Sequence, residues 1–320
     1  MSGRHPAAPR LLGALAQGPI ALDSAIGTRL IARGLDLRAD DPCLWNLDRP
    51  EAVLELHRLD VRAGSVAVLT NTFGANRSWL ARIGRAREVA AINRRGVELA
   101  RLASGDGRFV LGSIGPTAFA ESDPGPLAEQ AEALVAAGVD GVVLETFELP
   151  SAEAALTRLR DLPVPRLAGL HTWPGPTGDA ARRLEAAGAS AIGANCVVGM
   201  ARALAVARRL RSATALPILI KPSAGLPGAE PESPAAFAAA VSELLALGVR
   251  LIGGCCGTTE AHVEAIAAAL TRARSSLVAP GEFARLDAPV VAEVAGRPEA
   301  AGASGQGLGA DEDGVGIGDA

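Results

Sequence analysis

Hydrophobic and polar positions along the chain follow one repeating rhythm. A short apolar, β-rich run ends in polar or glycine residues, and an alanine-rich amphipathic stretch follows. The strand-like runs are "PIALDSAIG", "SVAVLTNTFGAN", "RFVLGSIGPT", "GVVLETF", "RLAGLHTW", "SAIGANC", "PILIKPSAG" and "RLIGGCCGT". Between them lie stretches such as "RPEAVLELHRLDVRAG", "GPLAEQAEALVAAGVD" and "SPAAFAAAVSELLALGV". Their apolar residues recur at spacings of three and four, and several close on the glycine expected just past a helix C-terminus. Eight such units in 320 residues predict an α/β fold, a single-domain (β/α)8 TIM barrel rather than an open doubly wound sheet. No GxGxxG follows the first strand, which removes the main reason to prefer the open sheet.

The barrel is placed over residues 19–275. Before it, "RLLGALAQG" is too short for a signal peptide and runs at once into a core strand, so residues 1–18 read as a helix capping the domain. After it, residues 276–320 form a C-terminal extension that ends in "AGASGQGLGADEDGVGIGDA". That segment has glycine and acid but nothing to pack, and disorder is expected from about 295.

Composition removes several function classes. At 49% hydrophobic the chain can bury a large core. A net charge of −4 gives no basic footprint for nucleic acid. Lys221 is the only lysine among basic residues that are otherwise arginine. No apolar run is long enough for a membrane span. Four cysteines in a chain of this length are no disulfide framework, so a reduced, cytoplasmic protein is expected.

In such barrels the chemistry sits where strands end and loops begin. The strand ends offer Asp23, Asn71 and Thr72, Ser113, Glu145 and Thr146, His171, Asn195 and Cys196, Lys221 and Ser223, then Cys255 and Cys256. Neighbours on a straight strand point to opposite faces, so the flanking glycines of "RLIGGCCGTTEAHVEAI" imply a turn or bulge that lets both thiols converge. A metal, a disulfide or simple packing would each explain the pair, and a vicinal disulfide would be strained. Cys196 closes the sixth strand, on the order of 10 Å of backbone away from the eighth, a gap that inward side chains can close.

Three converging thiolates suit zinc, which takes sulfur in a tetrahedron. The fourth cysteine, Cys43 in "DDPCLWNLDRP", lies early and reads as a lone thiol. An open fourth position marks a catalytic zinc. Three thiolates leave the centre with a net negative charge, poor for activating water but suited to keeping a bound sulfur nucleophilic. The chemistry expected is alkyl transfer to a thiol. A barrel metallohydrolase would instead use histidine and carboxylate ligands, and His5, His57, His171 and His262 show no paired spacing. Plainer readings stand beside these: Asn71, Thr72 and Asn195 as loop-holding residues, His171 as a satisfied rim residue, Lys221 as a solvent-facing charge.

The motifs "LDSAIGTRL", "LTNTFGANR", "GVVLETF", "IGANCVVG", "KPSAGLP" and "GGCCGTTEAHVEAI" closely resemble the homocysteine S-methyltransferase family, in order from about residue 19 to about 270. That family includes the homocysteine-binding barrel of cobalamin-dependent methionine synthase and the betaine- and S-methylmethionine-using enzymes. The resemblance implies a (β/α)8 barrel and one Zn2+ on Cys196, Cys255 and Cys256. It implies that Asp23 and Glu145 hold the substrate ammonium, and that backbone N–H groups around Ser24, Ala25 and Ile26 receive its carboxylate. Thr72 joins them as a substrate-binding candidate, with Asn71, Asn195 and His171 as further rim candidates. The activity implied is methylation of L-homocysteine to L-methionine. The donor is left among S-methylmethionine, S-adenosylmethionine, betaine and a methylcorrinoid protein. A different small thiol or selenol, or a non-catalytic zinc- or thiol-binding module, is the alternative. The chain departs from the family pattern at Ser24, where many members have glycine, at Ser223, where asparagine is frequent, and in having no tyrosine.

Overall fold

The computed structural model describes residues 7–117, 125–225 and 230–277. All of them fall in one compact unit that ends at Leu277. The expected disorder of the C-terminal extension lies outside the described residues.

Among the described residues eight parallel strands form one sheet. They are β1 (Ile20–Ala21), β2 (Ala67–Leu69), β3 (Phe109–Ile114), β4 (Gly141–Phe147), β5 (Arg166–Leu170), β6 (Ala191–Val198), β7 (Ile218–Ser223) and β8 (Val249–Ile252). Their order is β1-β8-β7-β6-β5-β4-β3-β2, the circuit of a (β/α)8 barrel. The seam between β1 and β2 is joined in two ways. Val66 N–H donates to the Ala21 carbonyl at 2.8 Å, and Leu69 N–H donates to the Asp23 side chain, Oδ2, at 2.7 Å. A side chain thus takes the place of a ladder acceptor where β1 has already ended.

Strands buried on both faces must be apolar on both, which is why these runs lack a polar face. Period-two alternation then sorts them into two cores. Ile20, Leu69, Leu111, Val143, Leu167 and Leu219 fill the barrel interior. Val68, Val110, Val142, Ala168, Ile192 and Ile220 pack outward into the helix layer. At the C-terminal end of the strands the inward series turns polar: Leu111 gives way to Ser113, Val143 to Glu145, and Leu219 to Lys221. Gly193, inward on β6, has no space for a side chain, since a Cβ there would lie 1.7 Å from the Leu219 carbonyl oxygen.

The helix Ala7–Gln17 closes the opposite end of the barrel. Its Leu11 and Leu15 are buried in the interior cluster, and Leu11 lies over Gly141 at the start of β4. Leu11→Ala should therefore empty a site that the barrel cannot collapse into. A stability loss of about 2–5 kcal/mol is expected in urea unfolding, with little effect on chemistry at the far rim.

Candidate metal and substrate site

The cysteines converge through two different backbone devices. On β6, regular alternation would send Asn195 inward and Cys196 outward. The register to β7 shifts between Asn195 and Val198, and Cys196 takes a positive φ of 60°, so both residues turn to the rim. The same device recurs on β4, where the register shifts between Glu145 and Phe147 at Thr146, with φ 66°. A non-glycine residue in this region costs of order 1 kcal/mol or more, and such strain collects at functional sites.

Cys255 and Cys256 lie just past β8, in a turn rather than on a strand. Cys255 N–H donates to the Pro222 carbonyl at 2.7 Å, and the Cys256 carbonyl accepts Ala224 N–H at 2.9 Å. Thr258 Oγ1 donates to the Cys255 carbonyl at 2.6 Å. Gly254 allows that closeness, because a Cβ there would meet Thr258 Oγ1 at 2.4 Å.

The result is one sulfur cluster. Sγ of Cys196 lies 3.9 Å from that of Cys256, Cys255 and Cys256 are 4.0 Å apart, and all three lie within 4.8 Å of one another. A tetrahedral ion with zinc–sulfur bonds of about 2.3 Å needs sulfurs roughly 3.8 Å apart, so the residues fit zinc. Among the described residues no histidine, carboxylate or fourth cysteine joins the group. Cys43 is buried in a separate cluster with Leu44, Ala75, Leu80, Val89 and Ile92. Hydrogen bonds from Cys255 and Cys256 hold the Cys196 thiol far below the ordinary range against the cost of burial, helped by Ser223 and Lys221. Donating to Cys196 pushes Cys255 and Cys256 up. Ser223 Oγ reaches Cys196 Sγ at 3.6 Å and Asn195 Nδ2 reaches Cys255 Sγ at 3.7 Å, polar groups of the kind that orient metal ligands.

Beside the sulfurs opens a cavity of about 280 Å³ lined by Asp23–Thr28, Pro42, Leu69–Phe73, Ser113, Glu145, Thr146 and Lys221, with mostly apolar walls. Glu145 is held on both oxygens: Ser113 Oγ donates to Oε2 at 2.5 Å and Asn195 Nδ2 to Oε1 at 3.1 Å. Asn195 thereby bridges an acid and a cysteine. Asp23 is buried, with Oδ2 committed to Leu69 N–H and Oδ1 lacking a hydrogen-bond partner among the described residues.

Lys221 corrects the reading of a solvent-facing charge. It is 4% exposed, with Nζ 3.4 Å from Asp23 Oδ1 and 3.6 Å from Glu145 Oε1. As an inward residue on a barrel strand it has only the interior to enter. Burial alone would lower its pKa, but Glu145, Asp23 and Cys255 outweigh that and hold it above the usual lysine range. Burial also pushes Asp23 up to about 7, against the pull of Lys221.

The turn after Asp23 is already partly committed. The Ser24 hydroxyl donates to Asp60 Oδ1 at 2.9 Å and accepts Arg29 Nη1 at 2.7 Å. Ala25 N–H donates to Thr258 Oγ1 at 3.1 Å. The next donors, at Ile26 and Gly27, have no such partner among the described residues. Asn71 and Thr72 line the cavity, yet their polar atoms hold other loops: Asn71 Nδ2 donates to the Pro42 carbonyl at 2.6 Å, and Thr72 Oγ1 to the Ser113 carbonyl at 2.7 Å. His171 does not line the cavity; its Nδ1 stands 3.2 Å from the carbonyls of Thr146 and Phe147, at the β4 bulge.

Residues 20–270 match the homocysteine S-methyltransferase family. The chain belongs to that family. Its relatives include the methionine synthases of Mycobacterium leprae, 32% identical over 88% of this chain, and Mycobacterium tuberculosis, 34% identical over 81%. The chain spans about a quarter of their length, 27% and 25%. Betaine–homocysteine S-methyltransferase 1 of Mus musculus is 30% identical over 72% of this chain and 67% of its own. In structure the chain is similar to the metallated homocysteine methyltransferase MmuM of Escherichia coli, with a TM-score of 0.67, 28% identity, and coverage of 81% of this chain and 98% of that one. No helix among the described residues is long and apolar enough to cross a membrane.

Because the folded carboxyl of Asp23 holds its proton up to about 7, against 3.8 for the free group, its ionisation costs stability as pH rises between those values. Asp23→Asn removes this cost. The stability of that variant relative to the native chain should swing in its favour from pH 4 to pH 7 in denaturant titrations. A difference flat with pH would place Asp23 in an ordinary solvated setting.

Proposed function

We propose that the chain methylates the thiol of L-homocysteine to give L-methionine, with zinc held by Cys196, Cys255 and Cys256. The observation that carries this reading is the sulfur triangle at tetrahedral spacing, opening on a cavity that also holds two buried carboxylates. Zinc bound there would keep an acceptor sulfur deprotonated yet electron-rich.

The chain's own residues supply position. Asp23 offers Oδ1 to the substrate ammonium, and Glu145, fixed by Ser113 and Asn195, adds a second charge. Ile26 and Gly27 N–H groups receive the carboxylate, just past Ala25, whose N–H is occupied by Thr258. Asn71 and Thr72 shape the wall, and His171 steadies the β4 bulge. Apolar walls exclude water from the line of methyl transfer, so that orientation of the two reactants supplies much of the rate. Residues 19–275 act as the homocysteine-binding barrel, with the helix Ala7–Gln17 as its N-terminal cap; the rest of the expected cap, residues 1–6, lies outside the described residues. The donor belongs to the class of electrophilic methyl groups: S-methylmethionine, S-adenosylmethionine, betaine or a methylcorrinoid protein.

Anaerobically purified protein should hold about one zinc per chain. Cys196→Ala, Cys255→Ala or Cys256→Ala should each lose metal and turnover, while Cys43→Ala keeps both. Zinc-loaded protein incubated with homocysteine and the donor panel should form methionine, followed by mass spectrometry. Zinc retention without methionine from any donor would favour the non-catalytic module. Full occupancy and turnover in Cys255→Ala would remove the sulfur cluster from the reaction.

A further inference from the structure

The pocket contains a cation that the proposed reaction does not require. Lys221 continues the inward series of Leu219 on β7, and its ammonium stands between Asp23 and Glu145 at 3.4 and 3.6 Å. The charges that face it are those two acids and Cys255. Asp60, behind Asp23, is already paired with Arg29 at 2.8 Å. Taking an ammonium out of water is costly unless the attraction of a partner repays it, so the lysine remains as a charge bound to the acid pair.

The two acids are not equally spent. Glu145 has hydrogen bonds on both oxygens, whereas Asp23 Oδ1 has the Lys221 charge nearby but no hydrogen bond among the described residues. One acid is therefore structurally committed and the other can adapt. An acid pair with no cation of its own would depend on the ligand's α-ammonium for compensation. Here part of that compensation is built into the barrel.

Resting on the homocysteine reading above, we infer that the acceptor pocket also binds thiol acids lacking the α-amino group, with Lys221 compensating the acid pair in place of the missing ammonium. With such a ligand Lys221 pairs with Glu145, and Asp23 takes a proton, which its burial already favours. With homocysteine, Asp23 stays ionised and Oδ1 meets the ligand ammonium. Without the lysine, the des-amino ligand would seal the acid pair in an apolar pocket with no cation beside it, while homocysteine would still bring its own.

The test is calorimetric binding of L-homocysteine and of 4-mercaptobutanoate, its des-amino counterpart, to zinc-loaded full-length protein. The native chain should bind the two within about tenfold, and Lys221→Met should widen that ratio by about tenfold or more, the scale of one charged hydrogen bond. Lys221→Arg should restore most of it. The double variant Asp23→Asn with Lys221→Met removes one charge of each sign and should bring the ratio back towards the native value. It also serves should the single variant fail to fold, as judged by zinc content and melting temperature. Native protein that binds homocysteine but not 4-mercaptobutanoate overturns the inference and leaves the acceptor reading intact. So does a Lys221→Met protein that weakens both ligands equally. Native protein that binds neither thiol overturns the acceptor reading, and this inference with it.

Discussion

The buried carboxylate of Asp23 is the constraint on which the rest of the site depends. β1 is only two residues long, and the chain leaves it before β2 is fully paired. Oδ2 of Asp23 takes the Leu69 N–H that would otherwise be an orphan donor at the seam, a group too costly to leave buried and unmet. The same side chain turns its other oxygen to the pocket. A residue that closes the barrel thus also sets the depth and charge of the cavity, and its backbone carbonyl accepts Gly254 N–H at 3.0 Å, next to the cysteine turn. Seam, pocket acid and sulfur cluster are one connected piece.

Preorganisation runs through that piece in short hydrogen-bonded steps. Asn195 donates from one nitrogen to Glu145 and to Cys255, and accepts Thr146 Oγ1 at 2.8 Å. Thr258 ties the Cys255 carbonyl to the Ala25 N–H. Each link is a modest term alone. Together they leave the acids and sulfurs few alternative rotamers, so positioning is settled when the chain folds rather than when a ligand arrives.

Two of the departures from the family pattern, Ser24 and Ser223, are absorbed by specific partners. Ser24 sends its hydroxyl into the buried Arg29–Asp60 ion pair. The pocket keeps the backbone of this turn, while the side chain faces away from it. Ser223 points its hydroxyl at the Cys196 sulfur, so the substitution lies against the sulfur cluster and not against the acids.

Much of this molecule could be read along the chain. Eight apolar runs alternating with amphipathic stretches demand strands and helices, and polar residues at the runs' ends locate the rim, because side-chain period and strand ends are local properties. Cys196 and the Cys255–Cys256 pair were legible for the same reason. What the chain alone left open concerns direction. Lys221 is the same letter whether it faces solvent or the barrel axis, and only closure of β7 against its neighbours buries it between Asp23, just past β1, and Glu145 on β4. Occupation of the Ala25 N–H by Thr258, 233 residues away, is likewise invisible before the barrel closes. Nor does any pattern announce a positive φ at Cys196 or Thr146. Those conformations are intrinsically unfavourable for the residues concerned, and they are held by the register that the neighbouring strands impose.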